Sequence, residues 1–323
     1  MCTALTYQNG DFYFGRNLDL EVGFNQSVAI TPRNYSFVRA NGERISTHYA
    51  LIGMATVFEG YPLYADAANE HGLSMAGLNF PQNAKYAPYN KDKDNIAPYE
   101  FILVVLSTCK DLKEARKLLE NLNLYEATYQ NFPLAPLHFI ISDKNGSLVV
   151  ESQGDGLHIY DNPFGILTNN PPFYYHLENV KNYMGLKAQN AANTLSNKLD
   201  LRTYCEGMGA LGLPGDASSP SRFIKALFHK FTSQNEPSEK ANLSQFMYIL
   251  DSVKMIRGSV ITENDHPDIT LYSSCINATK GIYYYKTYDN PTLRAIDMSK
   301  EDLDTDKVIT YGLDRPYYID HQN

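Results

Sequence analysis

The clearest candidate for chemistry is a cysteine at the second position of the chain, Cys2. Its side chain is small enough for the preceding methionine to be removed, which would leave one residue with both a thiol and a free α-amine. In model peptides such an amine titrates near ~7.7–8.0 and a thiol near ~8.5. The pair can therefore act as base and nucleophile near neutral pH, as covalent acyl transfer requires.

The residues after Cys2 predict a β-hairpin that brings polar side chains beside it. Asn9-Gly10 favours a two-residue type I′ turn between two β-prone runs. This turn would set Cys2 opposite Asn17, with Asp19 diagonally across on the same face. It would put Arg16 on the other face, whereas a three-residue loop or a bulge would bring Arg16 opposite Cys2 instead. The alternative interpretation is a hairpin with an incidental cysteine at a frayed end.

Two asparagines could supply amide donors for an oxyanion hole. Asn79 ends a predicted strand just before Pro81, and Asn169 lies in a loop stiffened by a double proline. A side-chain amide on a rigid loop is the kind of donor that stabilises a developing oxyanion. Asparagines at such positions also form turns or cap helices, so both interpretations stay open.

One arginine occupies an electrostatically unfavourable place in a predicted helix. Ser219 as N-cap and Pro220 at the first helical position predict a helix start. Arg222 then falls in the first turn, where the helix dipole disfavours a cation. A functional placement, a substrate-carboxylate site and a plain surface arginine are the three interpretations.

Composition excludes several classes of protein. The chain has 323 residues, a formal net charge of −8 and 43% hydrophobic residues, so a large core is expected and a nucleic-acid partner is not. No apolar run approaches the ~20 residues of a membrane span, and no signal peptide is recognisable. The four cysteines show no CxxC spacing, which favours neither a metal site nor disulfides. A reducing, cytoplasmic location is expected because it keeps a thiol usable.

The predicted elements alternate between β-rich and helical blocks. Strands are predicted over residues 3–7, 12–14, 27–31, 49–58, 61–67, 73–80, 137–142, 148–152, 157–160, 165–167, 269–277, 281–288 and 292–297. Helices are predicted over residues 99–108, 112–122, 173–184, 220–231 and 243–253. Hairpins dominate and βαβ units are absent, which indicates an α+β fold: two antiparallel sheets face to face with helices outside. The expectation is one αββα four-layer domain over residues 1–323, with the mature chain starting at Cys2.

Taken together, several stretches resemble the choloylglycine hydrolase family of N-terminal nucleophile hydrolases, which groups bile salt hydrolases with penicillin V acylases. The matching stretches are residues 1–3, 14–19, 61–81, 136–143, 158–171, 213–223 and 281–290. The resemblance implies the αββα fold, a homotetramer, and no metal or organic cofactor.

The resemblance also implies roles for individual residues. Cys2 would be the nucleophile with its own amine as base, and Arg16 and Asp19 would position the two groups. Asn79 and Asn169 would serve the oxyanion hole, and Arg222 would stabilise the charged centre. In this family bile salt hydrolases tend to carry Asn at the position of Asn79, and penicillin acylases tend to carry Tyr.

The expected activity is hydrolysis of the glycine or taurine amide of conjugated bile salts. The residues expected near the steroid are Leu18, Phe58, Ala65, Phe132 and Leu134. Penicillin V acylase is the nearest alternative, and an N-acyl-homoserine lactone acylase is a third amidase of the same kind. A non-catalytic binding protein with an inert thiol is the alternative from a different class.

Overall fold

The computed structural model describes residues 1–323 and consists mainly of two large antiparallel sheets. Its eighteen strands are β1 Cys2–Asn9, β2 Asp11–Leu20, β3 Ser27–Thr31, β4 Phe37–Val38, β5 Arg44–Ile45, β6 Leu51–Phe58, β7 Tyr61–Asn69, β8 Ser74–Asn79, β9 Asp94–Ile96, β10 Leu122–Leu124, β11 Leu137–Asp143, β12 Gly146–Gln153, β13 Gly156–Asp161, β14 Ile166–Leu167, β15 Ile269–Asn277, β16 Ile282–Thr287, β17 Arg294–Asp297 and β18 Ile309–Gly312. The α-helices are α1 Phe101–Thr108, α2 Leu112–Leu119, α3 Phe173–Asn179, α4 Ser219–Phe231 and α5 Glu239–Asp251. Short 3₁₀ turns occupy Val180–Tyr183, Met208–Ala210 and Met298–Lys300.

The two sheets and their helices form four layers. The six-stranded sheet has the order β14-β1-β2-β15-β16-β17, and the eight-stranded sheet has the order β13-β12-β11-β8-β7-β6-β3-β18. Helices α1 and α2 pack on the eight-stranded sheet, whereas α4 and α5 pack on the six-stranded sheet. The predicted αββα sandwich is therefore confirmed.

Side-chain alternation explains how each sheet is covered on both faces. Phe14, Tyr272 and Leu78 are fully buried in the cluster that joins the two sheets. On the outer face of the eight-stranded sheet, the ring of Phe139 meets that of Phe101 of α1 edge-on, with centroids 4.8 Å apart. Because α1 is almost wholly apolar, it can lie buried on this face.

The first hairpin differs from the predicted register by one residue. A type I′ turn needs a positive φ at both central residues. Of Asn9 and Gly10, only Gly10 has one, of 78°, so the predicted type I′ turn is wrong. Strand β1 pairs with β2 so that Cys2 faces Leu18 and Ala4 faces Arg16. Since side chains alternate with period two, this shift moves Arg16 to the face of Cys2. It moves the side chains of Asn17 and Asp19 to the opposite face.

Each of the five helices differs from its predicted range at one end or both. Helix α1 begins two residues later than predicted, α3 ends at Asn179 and is followed by a 3₁₀ turn, and α5 begins four residues earlier and ends two residues earlier. The N-cap of α4 is Ser218, not Ser219, and Ser219 is the first helical residue. Helix α2 ends at Leu119, three residues earlier than predicted, because the chain then forms strand β10 parallel to β9. Asp111 does cap α2, since its side chain accepts a hydrogen bond from Glu114 N (2.9 Å). No helix has the length and apolar character that would be needed to cross a membrane.

Candidate active site

Cys2 is the first residue of β1 and is almost completely buried, with 2% of its surface exposed. Its backbone N–H donates to Oδ1 of Asn169 at 2.8 Å. Asn169 lies in the loop between β14 and α3, so this bond ties the start of the chain to a distant part of the sequence. The position of Cys2 is fixed by this loop as well as by its pairing with β2.

Asn169 is the hydrogen-bonding centre of the site. Its Oδ1 also accepts from Arg222 Nη2 (2.7 Å), and its Nδ2 donates to the backbone oxygen of Asn79 (2.7 Å). Its own N–H donates to Ser219 Oγ (2.8 Å). The oxygen of its side-chain amide and one of the two N–H groups are thus engaged within the protein. Asn169 therefore brings Cys2, Arg222 and the end of β8 together as one unit.

Arg222 is buried rather than exposed, which rules out the interpretation as a surface arginine. Only 2% of the residue is accessible, and it lies in the first turn of α4. The guanidinium donates to Cys2 O, to Thr3 Oγ1 (2.6 Å) and, through Nε, to Ala217 O (2.9 Å). Burial lowers the pKa of Arg222, and the negative charges of Asp19, Cys2 and Asp268 oppose that effect.

Arg16 bridges the two sheets beneath Cys2. Its Nη1 donates to Ala65 O (3.0 Å) and to Gly77 O (2.6 Å), both on the eight-stranded sheet. Its Nη2 is buried and has no partner in the protein. Burial acts to lower the pKa of Arg16, but nearby acidic groups, including the thiolate that Cys2 can form, outweigh it and raise that pKa. A fully charged guanidinium with a free N–H group is thus available to stabilise a thiolate.

Asp19 approaches the start of the chain from the other face of β2. Its Oδ1 accepts from Thr270 Oγ1 at 2.6 Å, while its buried Oδ2 has no partner. Burial raises the pKa of Asp19, and the charges of Arg222 and the N-terminal ammonium lower it. The ammonium of Met1 forms an ion pair with Asp268 Oδ2 at 2.9 Å.

A largely apolar cavity of about 420 Å³ opens beside these groups. Of its 23 lining residues 15 are hydrophobic, and the polar ones include Arg16 and Asn79; Cys2 also lines it. The side chain of Asn79 makes no hydrogen bond within the protein, unlike that of Asn169. A thiol, a guanidinium and a free amide donor therefore share one apolar cavity, which is the arrangement of a site for amide chemistry on an apolar acyl group.

Comparison with known proteins agrees with this geometry. Residues 2–311 match the model of the linear amide C–N hydrolases, choloylglycine hydrolase family. A bile salt hydrolase/transferase from Lactiplantibacillus plantarum is 46% identical over 314 residues, covering 97% of each chain. The chain belongs to the choloylglycine hydrolase family. It is thus a member of a family of hydrolases that act on linear amide C–N bonds.

Solved structures extend this comparison to the fold. A mutant of the conjugated bile acid hydrolase from Clostridium perfringens superimposes with a TM-score of 0.93 at 39% identity, over 100% of both chains. Penicillin V acylase from Agrobacterium tumefaciens gives a TM-score of 0.75 at 20% identity, over 98% of this chain and 94% of that one. The second likeness establishes a shared fold and nothing further.

Four of the five residues expected near the substrate of a choloylglycine hydrolase line the cavity. They are Leu18, Ala65, Phe132 and Leu134. Phe58 does not line it: its ring packs edge-on against Phe132, with centroids 5.3 Å apart, and 38% of the residue is exposed. Phe58 therefore supports the cavity wall from outside.

Two buried carboxylates of this family member escaped the sequence analysis. Asp66 lies between the sheets and accepts hydrogen bonds from the hydroxyls of Tyr272, Tyr283 and Ser274. Burial raises the pKa of Asp66, and the charge of Arg16 lowers it. Asp66 is the one carboxylate in the predicted strand 61–67, and this was the signal in the sequence that could have indicated a buried acidic group. The second is Asp268, which is 5% exposed and directly precedes β15.

Proposed function

We propose that this protein hydrolyses the amide bond between a bile acid and glycine or taurine. The observation that carries the proposal is that Cys2, Arg16 and the unengaged amide of Asn79 line one mainly apolar cavity. A volume of about 420 Å³ lies within the range of about 300–1,000 Å³ for small-molecule sites. The relative from Lactiplantibacillus plantarum is a bile salt hydrolase/transferase by name, which supports a bile salt as substrate.

The first half of the reaction forms a thioester. After removal of Met1, the Cys2 amine takes the thiol proton and the sulfur attacks the amide carbon. Asn79 donates to the carbonyl oxygen as it gains negative charge. The ammonium then protonates the leaving nitrogen, the C–N bond breaks, and glycine or taurine departs.

The second half returns the enzyme to its starting state. The freed amine takes a proton from a water molecule, whose oxygen attacks the thioester carbon. The C–S bond breaks, the bile acid leaves, and the proton passes to the sulfur of Cys2. Arg16 stabilises the thiolate in both halves, because its charge is buried and its Nη2 is free.

Asn169 and Arg222 have supporting roles in this proposal. Asn169 Oδ1 accepts from the Cys2 nitrogen, so it orients the base. Arg222 holds Asn169 and the Cys2 carbonyl, and its charge balances Asp19. This assignment differs from the sequence-based expectation that both asparagines donate to the oxyanion, since Asn79 lines the cavity and Asn169 does not.

The same thioester could pass its acyl group to an amine instead of water. The relative from Lactiplantibacillus plantarum bears the name hydrolase/transferase, which motivates this second activity. The amine would attack the same carbon while the Cys2 amine accepts its proton. The C–S bond would then break, and the proton would pass to the sulfur of Cys2. Formation of a new conjugate when another amino acid is added to the reaction would reveal it.

The proposal extends to the assembly and its location. The family resemblance implies a homotetramer, and exposed apolar side chains along one irregular segment offer a surface for contacts between copies. These side chains are Met184, Leu195, Leu199, Leu201, Tyr204 and Leu211. A cytoplasmic location would keep the thiol of Cys2 reduced. We also propose that its substrates are small molecules and that it binds neither nucleic acid nor a membrane.

Steady-state rates on glycocholate, taurocholate and penicillin V, measured side by side, test the proposed substrate. Bile salt hydrolysis requires kcat/KM to be higher for at least one conjugate than for penicillin V. A higher value for penicillin V would favour the acylase alternative. A thiol-reactive probe that labels Cys2 and is blocked by glycocholate separates an enzyme from a binding protein, provided that turnover is lost with the label.

A further inference from the structure

A buried carboxylate outside the proposed catalytic set binds the start of the chain. The ammonium of Met1 lies 2.9 Å from Asp268 Oδ2 and also donates to the backbone oxygen of Asp19. Asp268 is 5% exposed, and its other oxygen, Oδ1, is buried without a partner. A buried carboxylate with an unused acceptor is costly unless a cation binds it.

Strand β15 fixes the positions of both carboxylates. Asp268 directly precedes β15, whose residue Thr270 pairs with Asp19 on β2. The Thr270 hydroxyl donates to Asp19 Oδ1 and accepts from Met255 N (2.8 Å). Both carboxylates therefore sit on rigid backbone beside the first residues of the chain.

Covalent geometry keeps Asp268 near the catalytic amine after Met1 is removed. Successive backbone nitrogens are at most about 3.6 Å apart, so Cys2 N lies within about 6.5 Å of Asp268 Oδ2. An opposite charge at that range favours the charged form of an amine. The new ammonium would carry three N–H donors, of which Asn169 Oδ1 accepts one.

The structure assigns Asp268 a role as a positioning residue for the Cys2 amine, a role that rests on the proposed function. It binds the ammonium of Met1 in the unprocessed chain, and in the processed chain it orients the Cys2 amine and keeps it basic. Asp19 Oδ2 is the second buried acceptor without a partner beside this amine. The ammonium of the processed chain has two donors beyond the one that Asn169 accepts, and these two carboxylates are the anionic acceptors at the start of the chain.

The charged groups around the Cys2 amine determine whether loss of Asp268 raises or lowers the pKa of that amine. Asp19 from β2 and Asp268 from the start of β15 favour the ammonium, whereas Arg16 from β2 and Arg222 from α4 disfavour it. Removal of one carboxylate lowers the pKa of the amine. Because the amine must be neutral to accept the thiol proton, activity should then extend to lower pH.

The test compares Asp268→Asn with Glu263→Gln, an exposed change of the same charge a few residues away. All samples are first shown by intact mass to begin at Cys2. We expect the acid limb of kcat/KM in Asp268→Asn to move about one pH unit to lower pH. The Glu263→Gln profile and that of Asp268→Glu, which keeps the charge, should match the unmodified protein. An unchanged limb in Asp268→Asn would overturn the role.

A second readout does not need bile salt turnover. The pH dependence of acetylation of the Cys2 amine, followed by mass of the N-terminal peptide, reports the pKa of that amine directly. An Asp268→Asn protein with the same acetylation profile as Glu263→Gln would contradict the inference. If the profile shifts but the unmodified protein hydrolyses no conjugated bile salt, the inference stands and the proposed substrate fails.

Discussion

Asn79 and Asn169 use their side-chain amides in different ways. The Asn169 amide donates one N–H to Asn79 O and accepts from both Cys2 N and Arg222, so it makes three hydrogen bonds within the protein. The Asn79 side chain faces the cavity with no partner in the protein. One residue is thus placed to hold the machinery together and the other to meet the substrate.

Mutation should separate these two functions. Asn79→Ala removes one oxyanion donor, so we expect kcat to fall by about 10²–10³ with little change in melting temperature. Asn169→Ala should lower both kcat and melting temperature, because it leaves buried donors of Cys2 and Arg222 unsatisfied. Asn83→Ala, at a partly exposed site, is the control for both measurements. Equal losses of stability in the Asn79 and Asn169 variants would contradict this division.

Burial changes what is expected of Arg222. From the sequence alone, Arg222→Ala should lower kcat and leave the melting temperature nearly unchanged. The structure instead shows four hydrogen bonds, three of them to buried residues, and a charge that balances Asp19. We now expect a loss of about 2–5 kcal/mol in the free energy of unfolding together with the loss of kcat.

Denaturant unfolding and steady-state kinetics of Arg222→Ala and Arg222→Lys check this prediction. The lysine variant keeps the charge but lacks the planar fork, so it should recover stability only in part. Lys225→Ala, further along the same helix, is the control. A fully stable Arg222→Ala protein would show that its hydrogen bonds do not hold the site together.

At the scale of elements, strand existence could be predicted from the sequence, but strand register could not. Alternating apolar residues indicated residues 27–31 and 269–277, and both strands were confirmed without change of boundary. The register of the first hairpin depends on the sign of φ at Asn9, and the residue types do not determine that sign. The short strands β4, β5, β9, β10 and β18 were missed because two to four residues show too little periodicity.

The candidate site was predictable where residue type carried the chemistry, as at Cys2 and Arg16. It was not predictable where the chain's path creates the role. Asp268 matters because β15 lies beside β2, a pairing between residues about 250 positions apart. The engaged amide of Asn169 likewise depends on a contact with β8 across 90 residues.

Gly15 allows β2 and β15 to approach closely next to Arg16. A Cβ at this position would overlap the backbone carbonyl of Ser274, which lies on the neighbouring strand. We expect Gly15→Ala to cost about 3 kcal/mol or more in the free energy of unfolding, since backbone atoms cannot move aside easily. Activity should fall together with stability, because a shift of the backbone at Gly15 also moves Arg16, the next residue.

Gly154→Ala is the matched control for that measurement. A Cβ at Gly154 meets no atom within 4 Å, and its backbone does not need a positive φ. Denaturant unfolding of the two variants should therefore give a large loss for Gly15 and almost none for Gly154. Similar stability of both variants would contradict the close approach of β2 and β15.

At the scale of the whole molecule, burial of His176 links stability to pH. Its Nε2 donates to Asn169 O at 3.2 Å, and its ring stacks on Phe223 with centroids 4.7 Å apart. Burial lowers the pKa of His176 to about 4 from its ordinary value of 6.5. Between these values the unfolded chain binds a proton that the folded chain does not, so stability falls as pH drops from 6.5 towards 4.

The contribution of His176 is measured by comparison with His176→Gln. We expect this variant to lose less stability than the unmodified protein between pH 6.5 and 4, by up to about 3 kcal/mol. His266→Gln, on an exposed loop, should keep the original pH dependence. Parallel curves for the unmodified and His176→Gln proteins would show that folding does not change the pKa of His176.

The whole arrangement depends on a free amine at Cys2, to which the two sheets, α4 and the loop at Asn169 all converge. Acylation of that nitrogen by Met1 or a tag converts the base into a neutral amide and fills the space beside the thiol. The most direct test is turnover of conjugated bile salts by an N-terminally extended protein, shown uncleaved by intact mass, beside the protein that begins at Cys2. We predict no turnover by the extended form, with its fold intact, and full turnover by the form that begins at Cys2. Normal turnover by the uncleaved form would contradict the assignment of Cys2 as nucleophile and base.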